Sequence, residues 1–336
     1  MTENNAQIKK VVTQLISVLN PRNREIISRR FGLKTGKKET LESIGAGYGI
    51  TRERVRQIEE ASLAQIRESL QGQGGAILNP FVVLTREVLD ANGGVIQERE
   101  LFARFSGTGL ESPLNAALVF VLTLSGTFHR SLEDEDFEMF WSLSKDQTKR
   151  FREQVATLAT SLEQRDSVMK GNEVPEGILS YLSISKNIGR NVFGEVGLTK
   201  WAQIKPRGVR DKSYLVLKKE AKPKHFREIT QLINEANFGT RKAHVQTVHN
   251  ELIKDDRFVL VGRGIYALSE WGYESGTVKE VIASLLRKEG KPLPKDQIIA
   301  HVMSSRMVKP NTVILGMQDK NLFEETIRGY IALKEA

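Results

Sequence analysis

The sequence predicts a mainly α fold: a helix-turn-helix domain followed by about three winged-helix modules, each α-helical with a small β-hairpin. Three observations predict it. Residues Thr40–Arg67, TLESIGAGYGITRERVRQIEEASLAQIR, read as two helices joined by a tight turn. Residues 81–144 read as three short helices followed by two strands. The last third of the chain repeats itself at an offset of 65 to 69 residues, the mark of a module used twice.

In the first stretch, Leu41, Ile44 and Gly45 lie on a short helix that Gly49-Ile50 breaks. Thr51 is a good N-cap for the next helix, because its hydroxyl accepts a bond from an otherwise unpaired backbone N–H. Arg54 stands where a capping box would place Glu, so the cap is partial. Val55, Ile58, Ser62 and Ile66 then fall on one face at steps of three and four. The opposite face carries Glu53, Arg56, Gln57 and Glu60, with Arg52 at the first turn. These side chains suit base edges: Arg matches the two acceptors of guanine, Gln the donor–acceptor pair of adenine, and Glu the cytosine amine. The competing reading is a solvated helix of mixed charge.

Thr40–Arg67, and above all TRERVRQIE, closely resembles the helix-turn-helix of region 4 in sigma-70-type transcription initiation factors. LNPRNREIISRRFGL, Leu19 to Leu33, resembles the preceding helix of that domain. The match covers roughly residues 7–70, within a domain set at 1–71. The resemblance implies that Thr51, Arg52, Glu53, Arg54, Arg56 and Gln57 form a DNA-binding site. Arg52, Glu53 and Gln57 would read a −35-like promoter element, with Arg54 and Arg56 against phosphate or the domain's own acids. Helices around Ile8 to Leu19 and Pro21 to Phe31 would clasp the flap of core RNA polymerase. Two departures stand out. The family continues after Glu60 with several Lys and Arg, whereas EASLAQIR keeps only Arg67. Nothing else in the chain resembles the other sigma regions, so a complete sigma factor is not expected.

The chain has 336 residues, enough for two to four domains, with 50 basic and 41 acidic side chains and a formal charge of +9. The charge is uneven: 13 basic against 8 acidic over 1–72, 10 against 14 over 78–170, 17 against 11 over 171–272, and 10 against 8 over 273–336. Two basic regions thus flank an acidic one, and basic excess suits an anionic partner. The absence of cysteine excludes disulfides and thiolate metal sites. No apolar run approaches a membrane span and MTENNAQIKK lacks a signal-peptide core, so a cytoplasmic, nucleoid-associated bacterial protein without membrane contact is expected.

Gln71–Gly75 reads as a linker. In the acidic module set at 78–145, FVVLTREVLDANGG, ERELFARFS and SPLNAALVFVLTLSG read as helices, and FHRSLEDEDFEMFWSLS as two strands around an acidic turn. Glu133–Asp136 in that turn reads first as a solvated wing; the alternative is a turn that repels DNA and favours a basic protein surface. Residues 146–205 read as a connecting helix, with Phe151, Val155, Leu158 and Leu162 at helical spacing, and a linker region. Asn187–Trp201 reads equally as an extension of the next module or as a small unit of its own.

In the repeat, EAKPKHFREITQ at 220–231 matches EGKPLPKDQIIA at 289–300, and Arg263–Leu268 matches Arg328–Leu333. Lys222-Pro223, His225-Phe226, Ile229, Thr247-Val248, Phe258 and Arg263–Leu268 resemble the HARE-HTH family, a winged helix also found in the delta subunit of bacterial RNA polymerase. One such module is set at 206–272. A second, weaker one is set at 275–336, where Pro294-Lys295 replaces the His-Phe pair. The third helix of the first is expected at about Arg241–Ile253. Arg241, Lys242, His244, Gln246 and Asn250 are candidates for its groove side, and Lys254, Arg257 and Arg263 for phosphate, as a possible second DNA contact. The competing reading is a protein-binding module with a basic face.

Enzyme readings fare poorly. The five histidines show no metal-ligand spacing. Asp211 with Glu220 and Lys222 superficially matches a metal-dependent nuclease triad, but the Glu-x-Lys element recurs at 289–291 inside the repeat. No catalytic residue, metal, cofactor or small-molecule substrate is expected. The expected partners are double-stranded DNA and core RNA polymerase. The expected function is a DNA-binding transcription regulator acting with polymerase at initiation. The alternatives are a delta-like polymerase-associated factor that does not read DNA, or the recognition subunit of a defence or modification system.

Overall fold

The computed structural model describes residues 2–175, 177–327 and 329–334. These divide into two compact units, 1–189 with 196–199, and 190–195 with 200–336. The fold is mainly α: among the described residues there are fourteen α-helices and eleven short strands.

The first unit opens with α1 (Thr2–Ser17), α2 (Pro21–Phe31), α3 (Leu41–Tyr48) and α4 (Arg52–Ser69). It continues with α5 (Asn79–Ala91), β1 (Val95–Gln97), α6 (Glu98–Ser106), α7 (Pro113–Ser125), β2 (His129–Ser131), β3 (Phe140–Ser142) and α8 (Lys145–Arg165). β4 (Ile188–Arg190) and β5 (Val196–Leu198) form a two-stranded ladder.

Residues 79–142 run α-β-α-α-β-β and fold β1, β3 and β2 into one antiparallel sheet, the winged-helix pattern. Its third helix, α7, is apolar on all sides and buries nine of its thirteen residues. A helix of that kind has to be covered all round. Part of the cover is α1 and α2, whose Ile8, Val11, Val12, Leu15, Ile27 and Phe31 join Leu118, Phe120 and Val121 in one core. Phe31 meets Phe120 edge-on at 5.0 Å, and Arg67 donates to the Thr123 carbonyl at 3.0 Å. The helix-turn-helix and the first winged module therefore share a hydrophobic core.

α8 closes the other side of the sheet through Phe151, which packs on Phe137, Phe140 and Tyr181. The acidic turn is held in place: Asp134 pairs with Arg152 at 2.6 Å, Glu133 with Lys186 at 2.6 Å, and Asp136 accepts from Asn187 at 2.7 Å. Two of its four carboxylates thus pair with cations, while Glu133, Asp134, Glu135 and Asp136 all stay exposed, as in a solvated wing.

The second unit holds two further modules of the same element order. One is α9 (Val209–Glu220), β6 (Lys224–His225), α10 (Phe226–Glu235), α11 (Val245–Lys254), β7 (Phe258–Gly262) and β8 (Ile265–Leu268). The other is α12 (Val278–Glu289), β9 (Leu293–Pro294), α13 (Lys295–Ser305), α14 (Pro310–Met317), β10 (Phe323–Ile327) and β11 (Tyr330–Leu333). Both place the last strand between the other two, and both shift register in the wing. The first wing turns at Gly264, φ 72°, where a Cβ would lie 2.7 Å from His225 Nε2. Only glycine meets both demands.

Candidate nucleic-acid interface

The helix-turn-helix is held by its own small core, Ile26, Ile44 and Val55, with Leu41, Tyr48, Ile50 and Ile58 around it. α3 begins at Thr40, whose Oγ1 accepts from Ser43 N at 3.1 Å. It ends at Gly49 in the left-handed conformation, φ 65°. The turn then passes so close to α3 that a Cβ on Gly45 would sit 2.6 Å from the Ile50 carbonyl oxygen. Thr51 caps α4 as its sequence indicates, accepting from Arg54 N at 3.1 Å. Arg29 and Arg30, whose role the sequence alone does not indicate, brace the domain by pairing with Glu39 at 2.6 Å and Glu59 at 2.9 Å. Their signal, two adjacent Arg at a helix end, resembles any basic C-terminal turn.

α4 is two-sided. Val55, Ser62 and Ile66 are buried, while Thr51, Arg52, Glu53, Arg54, Arg56 and Gln57 are all exposed. The structure therefore brings the six candidate residues together on one solvent-facing patch. Within it, Arg56 donates to both Glu53 oxygens, at 2.7 and 2.9 Å, and also pairs with Glu60. Arg54 donates to Gln57 Oε1 at 3.1 Å. The hydrogen bond from Arg56 holds the Glu53 carboxyl below the usual carboxylate range, so it is an acceptor at neutral pH. Such surface pairs are worth little in water and exchange readily for stronger partners.

The apolar faces of α1 and α2, the helices expected to clasp a polymerase flap, pack against α7. α1 presents Lys9, Lys10, Thr13 and Gln14 outward instead.

The second candidate patch sits on the 209–268 module. Arg241, Lys242, His244, Gln246, Lys254 and Arg263 are all exposed. The helix begins at Val245, four residues later than the expected Arg241, so Arg241, Lys242 and His244 precede it. The Asn234 side chain is the reason: it accepts from Ala243 N at 2.7 Å and donates to Ala243 O at 3.1 Å, holding that segment out of the helix. Arg257, expected on phosphate, is taken up by Asp255 at 2.7 Å and Asp211 at 3.1 Å. That pairing also accounts for Asp211 without a metal. Among the described residues no cluster of three metal-ligating side chains occurs, and no helix is long and apolar enough to cross a membrane.

The capped turn, the buried Val55–Ile66 stripe and the exposed Arg52–Gln57 patch coincide with a known domain. Residues 15–68 match the family model of sigma-70, region 4. Over 63 residues this sigma-70 region 4 domain is 41% identical to the chloroplastic RNA polymerase sigma factor sigF of Arabidopsis thaliana, covering 19% of this chain and 12% of that one. Over 70 residues it is 40% identical to the RNA polymerase sigma factor RpoS of Coxiella burnetii, covering 21% of this chain and 20% of that one. The chain thus spans at most a fifth of the length of these curated relatives, and the likeness lies in the region 4 domain.

Proposed function

We propose that the protein is a DNA-binding transcription regulator that docks through α4 on −35-like promoter sequence and acts with RNA polymerase at initiation, without being a complete sigma factor. The observation that carries this reading is α4 itself, a rigidly capped region 4 helix presenting Arg52, Glu53 and Gln57 to solvent. Arg52 and Gln57 supply the donors that guanine and adenine edges accept, and Glu53 the acceptor for a cytosine amine. Arg54 and Arg56 leave their intramolecular partners for phosphate. The sigma factors that share the domain support the polymerase association, and the matched domain is a non-enzymatic one. The two later modules are of HARE type in this reading. The exposed cations Arg241, Lys242, Lys254 and Arg263 supply a second, backbone-directed DNA contact, with His244 and Gln246 beside them.

A second reading is a polymerase-associated, delta-like factor that does not read DNA. It is favoured by the thinning of Lys and Arg after Glu60, where EASLAQIR keeps only Arg67. The test is binding to a −35-containing duplex and to a scrambled duplex across a salt series, for the wild type and for Arg52→Ala and Glu53→Ala. Preference for the promoter duplex that both substitutions abolish supports base reading. Weak, equal, salt-sensitive binding to both duplexes rejects it in favour of the interaction factor.

A further inference from the structure

In the second unit, two aromatic rings that pack at the edge of the core of the 209–268 module stand partly exposed between lysines. Phe193 sits at the tip of the 190–195 turn. Buried Asn191 fixes that turn, its Oδ1 accepting from Phe193 N and Glu195 N, each at 3.0 Å, and its Nδ2 donating to the Gln203 carbonyl at 3.0 Å. Phe238 sits on a second turn, between two residues of positive φ, Asn237 at 54° and Gly239 at 136°. The rings meet edge-on, centroids 5.8 Å apart. Lys219 lies over the Phe193 ring at 4.8 Å and Lys212 over the Phe238 ring at 5.7 Å.

Lys212 and Lys219 are seven residues apart on α9, hence on one face and about 10 Å apart along the axis. Neither makes an ion pair among the described residues. The carboxylates nearest along the chain are engaged elsewhere: beside the lysines, Asp211 with Arg257 and Glu220 with Lys224, and beside the rings, Glu195 with Asn191 and Glu235 with Gln231. Arg241 and Lys242, exposed and three and four positions after Phe238, extend the positive strip.

We propose that this strip holds an unpaired nucleic-acid strand, with bases stacked on Phe193 and Phe238 and phosphates on Lys212 and Lys219. Alternating rings and cations are what a single strand needs: every base has a π-face, and the backbone passes the cations in turn. An ammonium over a ring at the surface is held less strongly than a stacked base. Exchange of the first for the second is therefore favourable, and it frees the lysine for the neighbouring phosphate. A duplex conceals its base faces and an acidic peptide has none, so neither uses the rings. The inference does not depend on what α4 reads.

The test uses the full chain, a fluorescein-labelled oligothymidylate, and the same strand carrying one 2-aminopurine, whose fluorescence falls on stacking. Phe193→Leu and Phe238→Leu keep most of the packing volume and should each weaken strand binding about tenfold and relieve the quenching. Lys212→Gln and Lys219→Gln, on the surface of α9, should each lower the salt slope by about 0.7 while quenching persists at saturation. Duplex affinity should be unchanged in the leucine variants. Binding without quenching, or equal loss of duplex and single-strand binding in the leucine variants, overturns the proposal. If a leucine variant melts early, the lysine variants and wild-type quenching still decide it.

Discussion

α4 and α7 each follow a short helix and a turn, and each ends a helical unit of the same half of the molecule, yet they are used in opposite ways. α4 buries Val55, Ser62 and Ile66 and turns Arg52, Glu53, Arg54, Arg56 and Gln57 of its first turns outward, with its cap Thr51 beside them. α7 buries Asn115 to Leu122 without a break, together with Leu124. Position in a three-helix unit therefore does not decide whether a helix reads a ligand. Polarity of the outer face does. Where that face is apolar, the helix becomes the core that joins its module to the neighbour.

This contrast breaks most visibly at Phe120. Phe120→Ala removes a fully buried ring that meets Phe31, and should cost about 3–5 kcal/mol. Chemical denaturation should show the helix-turn-helix and the 79–142 module losing stability together. Separate transitions would mean that the shared core is not cooperative. Arg52→Ala should do the reverse. Its melting should match the wild type, while discrimination for the promoter duplex falls by about 1–3 kcal/mol, read by fluorescence anisotropy against the scrambled duplex.

A smaller effect sharpens the picture at the start of α4. Thr51→Ala removes the acceptor for Arg54 N, and should cost about 1 kcal/mol of stability. Thr51→Ser should restore it, and a melting series on the two variants checks this.

Smallest is the acid response. Glu39, bonded by Arg29, and Asp255, bonded by Arg257, are both held below their ordinary values of 4.5 and 3.8. A carboxyl with a depressed folded-state pKa stabilises the fold above its unfolded value and loses that contribution as the pH falls. Melting temperatures should therefore decline on acidification from about pH 5 toward pH 3. Glu39→Gln should flatten that decline for the first unit alone, as thermal melts followed across this range would show.

Much of this was legible in the sequence because it is local. Thr51 as a cap, Gly49 as a stop and Val55–Ile66 as the inner face follow from the neighbours of each residue. The repeat at 220–333 announced two modules of one topology, and both have it. What sequence could not disclose comes from residues far apart in the chain. A helix as evenly apolar as α7 has no favoured side, so nothing in it indicated that α1 and α2 were its partners. The start of α11 depends on Asn234 reaching Ala243, nine positions on. From its chain neighbours Arg257 reads as a phosphate ligand, but Asp211, 46 residues earlier, lies beside it and accepts its hydrogen bond.

Hydrogen exchange of the full chain, with and without a −35-containing duplex, compares the two helices in one measurement. Amides of the first turns of α4, around Arg52 to Gln57, should exchange more slowly in the complex. Those of α7, already buried, should not change. Slowing at α7 with none at α4 would contradict the assignment of α4 as the reader.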